Sequence, residues 1–281
     1  MAEPADAAAG LYLLERDTLV VRGPDRKTWL DGLLTCAVAE VAPGTARYGL
    51  LLTKQGKIVS DVFLADSGSE LFLGVAPGQG PSMRELLDRY LVMEDADLAA
   101  AQSPPVWLLG LAGSGTEPAL ARGALTLRDL SLSLTVAAAA PTDARPVPEL
   151  ASLLAEHGLG LFGVDFNERD NPHEASLDRV AVSWTKGCYL GQEVVCMQDM
   201  RGKVKRRLVA LSGAAGLLEA PTAEAPSVLV SGGEAVGHVT SVHAAAGGAR
   251  LLASVATSAL ESSAELSVLG QPVRVVSSVG A

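Results

Sequence analysis

The 281-residue chain holds 22 basic and 32 acidic side chains, a net charge of −10 at pH 7, so as a whole it repels phosphate backbones and anionic membranes. Its mean hydropathy of +0.28 owes much to alanine, and no apolar run approaches the ~18 residues of a membrane span; neither a membrane nor direct nucleic-acid binding is expected. Three cysteines, Cys36, Cys188 and Cys196, cannot all pair within one chain and lack C-x-x-C spacing, which fits free thiols in a reducing compartment and gives no self-sufficient metal site.

The opening MAEPADAAAG has two acids and no base, neither a secretory n-region nor an arginine-rich transit peptide. Residues 1–10 are expected to be a disordered start of a cytoplasmic protein. Residues 11–22 predict two short strands, broken by Gly23-Pro24 before a helix that Asp25 is placed to N-cap. On that helix Trp29 with Leu33, and Leu30 with Leu34, make an apolar stripe for the core. ARYGLLLT (46–53), the turn KQG and KIVSDVFLA (57–65) predict a β-hairpin with glycine at its tip. Alternation puts Asp61 on the face of Val59 and Phe63, so its carboxylate needs a partner or a ligand, and the pattern leaves both roles open.

ELFLGVA (70–76) predicts a strand, and Ser82 with Glu85 a capping box for the helix that follows. VWLLGLA (106–112) is a strand, GSGTEP a turn, and 116–122 a short helix; the GSG is too short for a phosphate loop. The helix PELASLLAEHG should stop at Gly158 in a left-handed C-cap. GVDFNERDNPHEASLD (163–178), rich in acids and punctuated by Asn171-Pro172, predicts an irregular, solvated loop. Past residue 207 a Pro- and Ala-rich spacer (214–226) leads to short strands of a separate all-β domain.

The densest chemistry is TKGCYLGQE (185–193), followed by RGKVKRR (201–207). Gly187 and Gly191 flank Cys188 in a tight loop, and a cationic neighbour such as Lys186 favours a thiolate. A buried, inert cysteine is the commoner fate of a free Cys. The basic run places Lys203 and Lys205 on one face of a strand, with Arg201 and Arg207 in phase, as a solvated edge or an anion dock.

GLLTCAVAEVAPGTARYGLLLTKQGKIVSDVFL, PHEASLD, SWTKGCYLGQEVV, RGKVKRRL and AVGHVTSV occur in the order and spacing of the YgfZ-like folate-binding proteins, which resemble the tetrahydrofolate-dependent aminomethyltransferase (T-protein) of the glycine cleavage system. The resemblance covers about Leu11 to Val276. It implies an α+β fold: a T-protein-like three-domain ring of antiparallel sheets with flanking helices and a small C-terminal β-barrel. Residues 11–207 would form the folate-binding region, as two subdomains (about 11–50 with 146–207, and 51–145), and 208–281 the barrel.

The resemblance further implies a monomer that binds tetrahydrofolate or a one-carbon derivative. Its partners would be iron-sulfur client enzymes, including tRNA-modifying ones, or cluster carriers. Glu174 looks like the T-protein glutamate that contacts the pterin. Lys186, Cys188, Gly191, Gln192 and Glu193 match the family motif, with Cys188 its functional thiol. Asp61, Gln192, Glu193 and Arg201 join Glu174 as candidate folate contacts. Ser60 stands where the transferase has its catalytic aspartate, so an accessory factor without turnover is expected, the alternative being an aminomethyltransferase or demethylase. Cys196-Met197 departs from the Ala-Arg that relatives carry there.

Overall fold

The computed structural model describes residues 10–111, 119–127, 130–202, 204–219 and 228–277. Residues 1–9 and Lys203 therefore lie outside the described residues, as do the GSGTEP turn and most of the Pro/Ala spacer. The chain groups into two compact units. The first holds the chain up to Leu50, Asp61–Leu150 and Ser183–Tyr189; the second holds Leu51–Ser60, Ala151–Val182 and the chain from Leu190 onward.

The first unit is built on two antiparallel sheets, with the tip of the predicted hairpin, Leu51–Ser60, grouped in the second unit. Strands β1 (Leu11–Leu14), β2 (Asp17–Arg22), β3 (Ala46–Leu52), β4 (Ile58–Asp66) and β5 (Leu71–Val75) follow one another with helix α1 (Arg26–Asp31) after β2. Helix α2 (Gly80–Asp88) comes next, then β6 (Asp97–Ala100), β7 (Val106–Leu111), β8 (Ala119–Leu127) and β9 (Leu130–Ala137). One sheet has the order β3-β4-β5-β2-β6, the other β1-β7-β9-β8. The predicted hairpin is β3–β4, and Gly56 at its tip has φ 72°.

Trp107 on β7 ties the two sheets. Its Nε1 donates to Thr18 Oγ1 on β2 at 2.9 Å, and a Cβ on Gly74 of β5 would stand 2.8 Å from its ring. The indole is buried, so its N–H needs that acceptor. The apolar stripe on α1 forms as the spacing predicts: Trp29, Leu30, Leu33 and Leu34 are all buried.

Three local expectations change. Asp25 does precede α1, but its carboxylate accepts the Asp95 N–H at 2.8 Å instead of capping its own helix. Helix α2 begins at Gly80, ahead of the Ser82/Glu85 box, because Asp17 on β2 accepts the Gly80 N–H at 2.8 Å; a residue distant in sequence supplies the cap. Where 116–122 suggested a helix, β8 pairs antiparallel with β9 from Ala119; alanine's helix propensity is a weak prior that ladder pairing overrides.

The second unit contains α3 (Val147–Glu156, shared at its start with the first unit) and α4 (Gln192–Arg201), followed by β10 (Arg206–Gly213), β11 (Val228–Ser231), β12 (Glu234–Ala245) and β13 (Gly248–Ala256). After α5 (Thr257–Glu261), β14 (Leu266–Val268) and β15 (Gln271–Ser277) complete a closed barrel of order β10-β13-β12-β11-β14-β15. Its interior holds Val209, Leu211, Val239, Leu251, Ala253, Val255 and Val268. Closure removes the open strand edges that a small sheet would otherwise expose. Gly158 follows α3 at φ 68°, as the left-handed cap requires. No helix among the described residues is long and apolar enough to cross a membrane.

Thr18→Val should leave the Trp107 N–H buried without an acceptor and cost about 1–3 kcal/mol. Urea unfolding should then show a lower midpoint with an unchanged m-value; an unchanged midpoint would refute Trp107 as the tie.

Candidate functional site

In the first unit, Asp61 is buried and fully engaged. Arg16 donates Nη1 to Oδ1 at 2.5 Å and Nη2 to Oδ2 at 2.9 Å, with the two side chains 5% and 4% exposed. Burying a carboxylate demands such a bidentate partner. The Arg16 guanidinium lies 4.7 Å over the Phe63 ring, and Tyr48 Oη stands 3.4 Å from Oδ2. Burial, then the Asp61 charge, pushes the Tyr48 phenol well above its ordinary value, so it is a neutral donor. Ser60, next to Asp61, is fully buried.

The Cys188 loop belongs to the same unit. Cys188 is exposed, whereas Cys36 is buried and Cys196 part-buried. Lys186 reaches inward with its side chain 2% exposed. Its Nζ donates to the carbonyls of Asp31 (2.5 Å), Leu34 (2.9 Å) and Cys36 (2.9 Å), and lies 3.1 Å from Asp31 Oδ1. It also sits 5.6 Å from the Tyr189 ring centroid. Burial pushes the Cys36 thiol up to about 11, with the Lys186 charge partly opposing; Cys36 stays protonated near neutral pH.

In the second unit the rest of the motif starts α4. Gly191 adopts φ 81°, and a Cβ there would meet Thr53 O at 2.5 Å; a Cβ on Gly56 would meet Val194 Cβ at 2.9 Å. The two glycines let the hairpin tip lie against the start of α4, where any side chain would collide. Gln192 is part-buried, Glu193 exposed in the first turn, and Arg201 exposed in the last, so both charges complement the helix dipole. RGKVKRR is not one strand. Gly202 at φ 59° ends α4 and β10 starts at Arg206, which divides the basic run between helix, linker and strand. Arg207 faces Asp178 at 3.3 Å.

The segment 163–178 is irregular as expected, but it is not a solvated loop: Asp165, Asn171, His173, Ser176 and Asp178 are buried. Its buried acids, Asp165 and Asp178, avoid solvation because each finds donors. Asp165 accepts from Thr240 Oγ1 (2.7 Å), Ser241 Oγ (2.6 Å) and the Leu161 N–H (2.9 Å). The Glu174 carbonyl accepts the Leu208 N–H, and Ser176 Oγ donates to Leu208 O, so the loop is sewn to β10. Glu174 itself is a quarter exposed; its Oε2 takes both Lys57 Nζ and the Asn171 N–H at 3.0 Å. No hydrogen bond from the described residues reaches Oε1.

His173, Asp178 and Asp199 bring their ligand atoms within 4.8 Å of one another, yet Arg207 and Arg179 already hold the two carboxylates. The cluster is compensated by guanidinium groups and offers a cation little net charge. Sequence reasoning missed Arg16, Lys57 and Asp31 as partners of Asp61, Glu174 and Lys186. Each pair spans 45 to 155 residues, and no local pattern signals it.

Residues 15–123 match the GCVT N-terminal domain family. Over 96% of its length the chain follows the crystal structure of glycine cleavage system aminomethyltransferase T from Bartonella henselae, with a TM-score of 0.73, 18% identity and 85% of that chain covered. At that identity the likeness is one of fold: the chain has the aminomethyltransferase T architecture.

More particularly, the chain is similar in sequence to proteins named YgfZ and IBA57. It is 28% identical to the tRNA-modifying protein YgfZ of Vibrio vulnificus, across 70% of this chain and 67% of that one. It is 27% identical to the iron-sulfur cluster assembly factor IBA57 homolog of Chaetomium globosum, across 73% of this chain. The match spans 58% of the length of that fungal relative.

Burial holds His173, His238 and His243 below the ordinary histidine value, with Arg207 adding to the effect at His173 and Arg206 at His238. A histidine kept neutral by folding binds fewer protons than its unfolded form. Stability should therefore fall as pH drops below about 6.5 toward the folded-state values. Urea unfolding between neutral pH and that window should show the loss, and His173→Gln should reduce its slope; an unchanged slope would mean that His173 is not kept neutral.

Proposed function

We propose that this protein is an accessory factor for iron-sulfur cluster assembly or repair in client enzymes, that it binds tetrahydrofolate or a one-carbon derivative, and that it acts through Cys188. The observation that carries this reading is an exposed thiol on a loop whose neighbouring lysine is buried and bonded, in a chain whose relatives are named as iron-sulfur cluster assembly factors. The cluster is cargo, and Cys188 is its point of contact with a client or carrier.

The donor set fits a reduced folate. Glu174 has Oε2 oriented by Lys57 and Asn171, and Oε1 is left for a ligand N–H. An aminopyrimidine ring offers such N–H donors, and a charge-assisted bond to carboxylate is the stronger kind. Lys57 holds the glutamate in position, while bound folate would supply a one-carbon carrier. Arg201, Gln192 and Glu193 are the further candidates for its polar tail.

The second reading, an aminomethyltransferase, is favoured by the GCVT N-terminal domain match and the shared fold. Ser60 opposes it, because a buried hydroxyl cannot replace the carboxylate that such a transfer uses. Calorimetric titration with tetrahydrofolate should show binding to the wild type, and Glu174→Ala should weaken it about tenfold, near the worth of one charge-assisted hydrogen bond. Equal affinity in the variant would remove Glu174 from the site, and methylene-tetrahydrofolate formed from an aminomethyl donor would select the transferase.

A further inference from the structure

The sequence places the Lys186 charge beside Cys188, but the surroundings of Lys186 in the first unit suit a different task. A lysine ammonium has three N–H donors, and here four acceptors converge on it: three backbone carbonyls from one turn and the Asp31 carboxylate. Those carbonyls belong to the connection between α1 and β3, which has no ladder of its own to satisfy them, and a buried carbonyl without a donor is costly. The turn is fixed on its other sides as well. Thr35 exchanges hydrogen bonds with Leu50 of β3, the Thr35 carbonyl accepts the Ser183 N–H, and Asp31 Oδ1 takes the N–H groups of Val38 and Ala39.

The geometry points to Lys186 as a positioning residue, a buried ammonium clamp that fixes the Cys188 loop to the Asp31–Cys36 turn so that the thiol is presented at one place. This deepens the proposed function and rests on its reading of Cys188. A charge shared among four acceptors is already neutralised locally, whereas directional bonds from a compact ammonium lock the backbone two residues from the thiol. Arginine, a planar fork, keeps the charge but cannot aim three donors at one cage of carbonyls.

The test uses the full chain with Cys196→Ser, so that a maleimide nitroxide label reports on Cys188 while Cys36 is buried and protonated. Lys186→Met and Lys186→Arg should both raise the mobile fraction of the label severalfold. The pH midpoint of Cys188 alkylation should stay where it is in the parent protein. Asp31→Asn, which leaves the three carbonyls in place, should loosen the label less, and it carries the test if the lysine variants do not fold. An unchanged line shape in these variants would overturn the clamp. So would a raised alkylation midpoint in Lys186→Met that Lys186→Arg restores, because that marks an electrostatic activator. Neither result bears on whether Cys188→Ala loses client activation; activation retained in that variant is the outcome that would remove the underlying reading.

Discussion

Backbone polar groups that leave regular structure must be satisfied by something else, and in the first unit one ammonium meets that need. The Asp31–Cys36 turn joins α1 to β3 and presents three carbonyls inward; Lys186 satisfies all three and sits against the Asp31 carboxylate. Without it the turn would keep buried acceptors with no donor, and the segment that carries Cys188 would lose its main attachment. The exposure of Cys188 and the burial of the Lys186 side chain are thus two sides of one arrangement: an exposed thiol on a loop with a fixed base.

The second unit solves a related problem with acids. Its loop from residue 163 to 178 lacks helix or strand, yet it is buried because its carboxylates recruit hydroxyls, amides and guanidinium groups. Asp165 draws on Thr240 and Ser241 of the barrel, and Asp178 on Arg207. Glu174 differs from these in being part-exposed, with one oxygen saturated and the other unclaimed by the described residues. Asp165 and Asp178 are engaged through both carboxylate oxygens, whereas Glu174 is bonded through Oε2.

Legibility from sequence followed the range of the interactions. The β3–β4 hairpin, the apolar stripe on α1 and the Gly158 cap could be read because each depends on neighbours within a few residues. Asp25 stands at the N-cap of α1 as the sequence predicts, but its carboxylate turns to the Asp95 N–H, and α2 takes its cap from Asp17. The buried state of Asp61 was visible in alternation, but its partner Arg16 lies 45 residues away, on a turn with no pattern of its own. For TKGCYLGQE, residue types marked the place and the family resemblance marked Cys188. The roles of its other residues needed coordinates: Gly191 avoids Thr53 O, while Gly187 meets nothing within 4 Å.

We propose that the exposed thiol of Cys188, and not a carboxylate chemistry at Asp61, is what this protein brings to its clients. The most direct measurement is the activity of an iron-sulfur enzyme in cells lacking their own factor of this kind, complemented with wild-type protein or with Cys188→Ser at matched abundance. Restored activity is expected with the wild type and none with the folded variant. Full restoration by Cys188→Ser would contradict that reading.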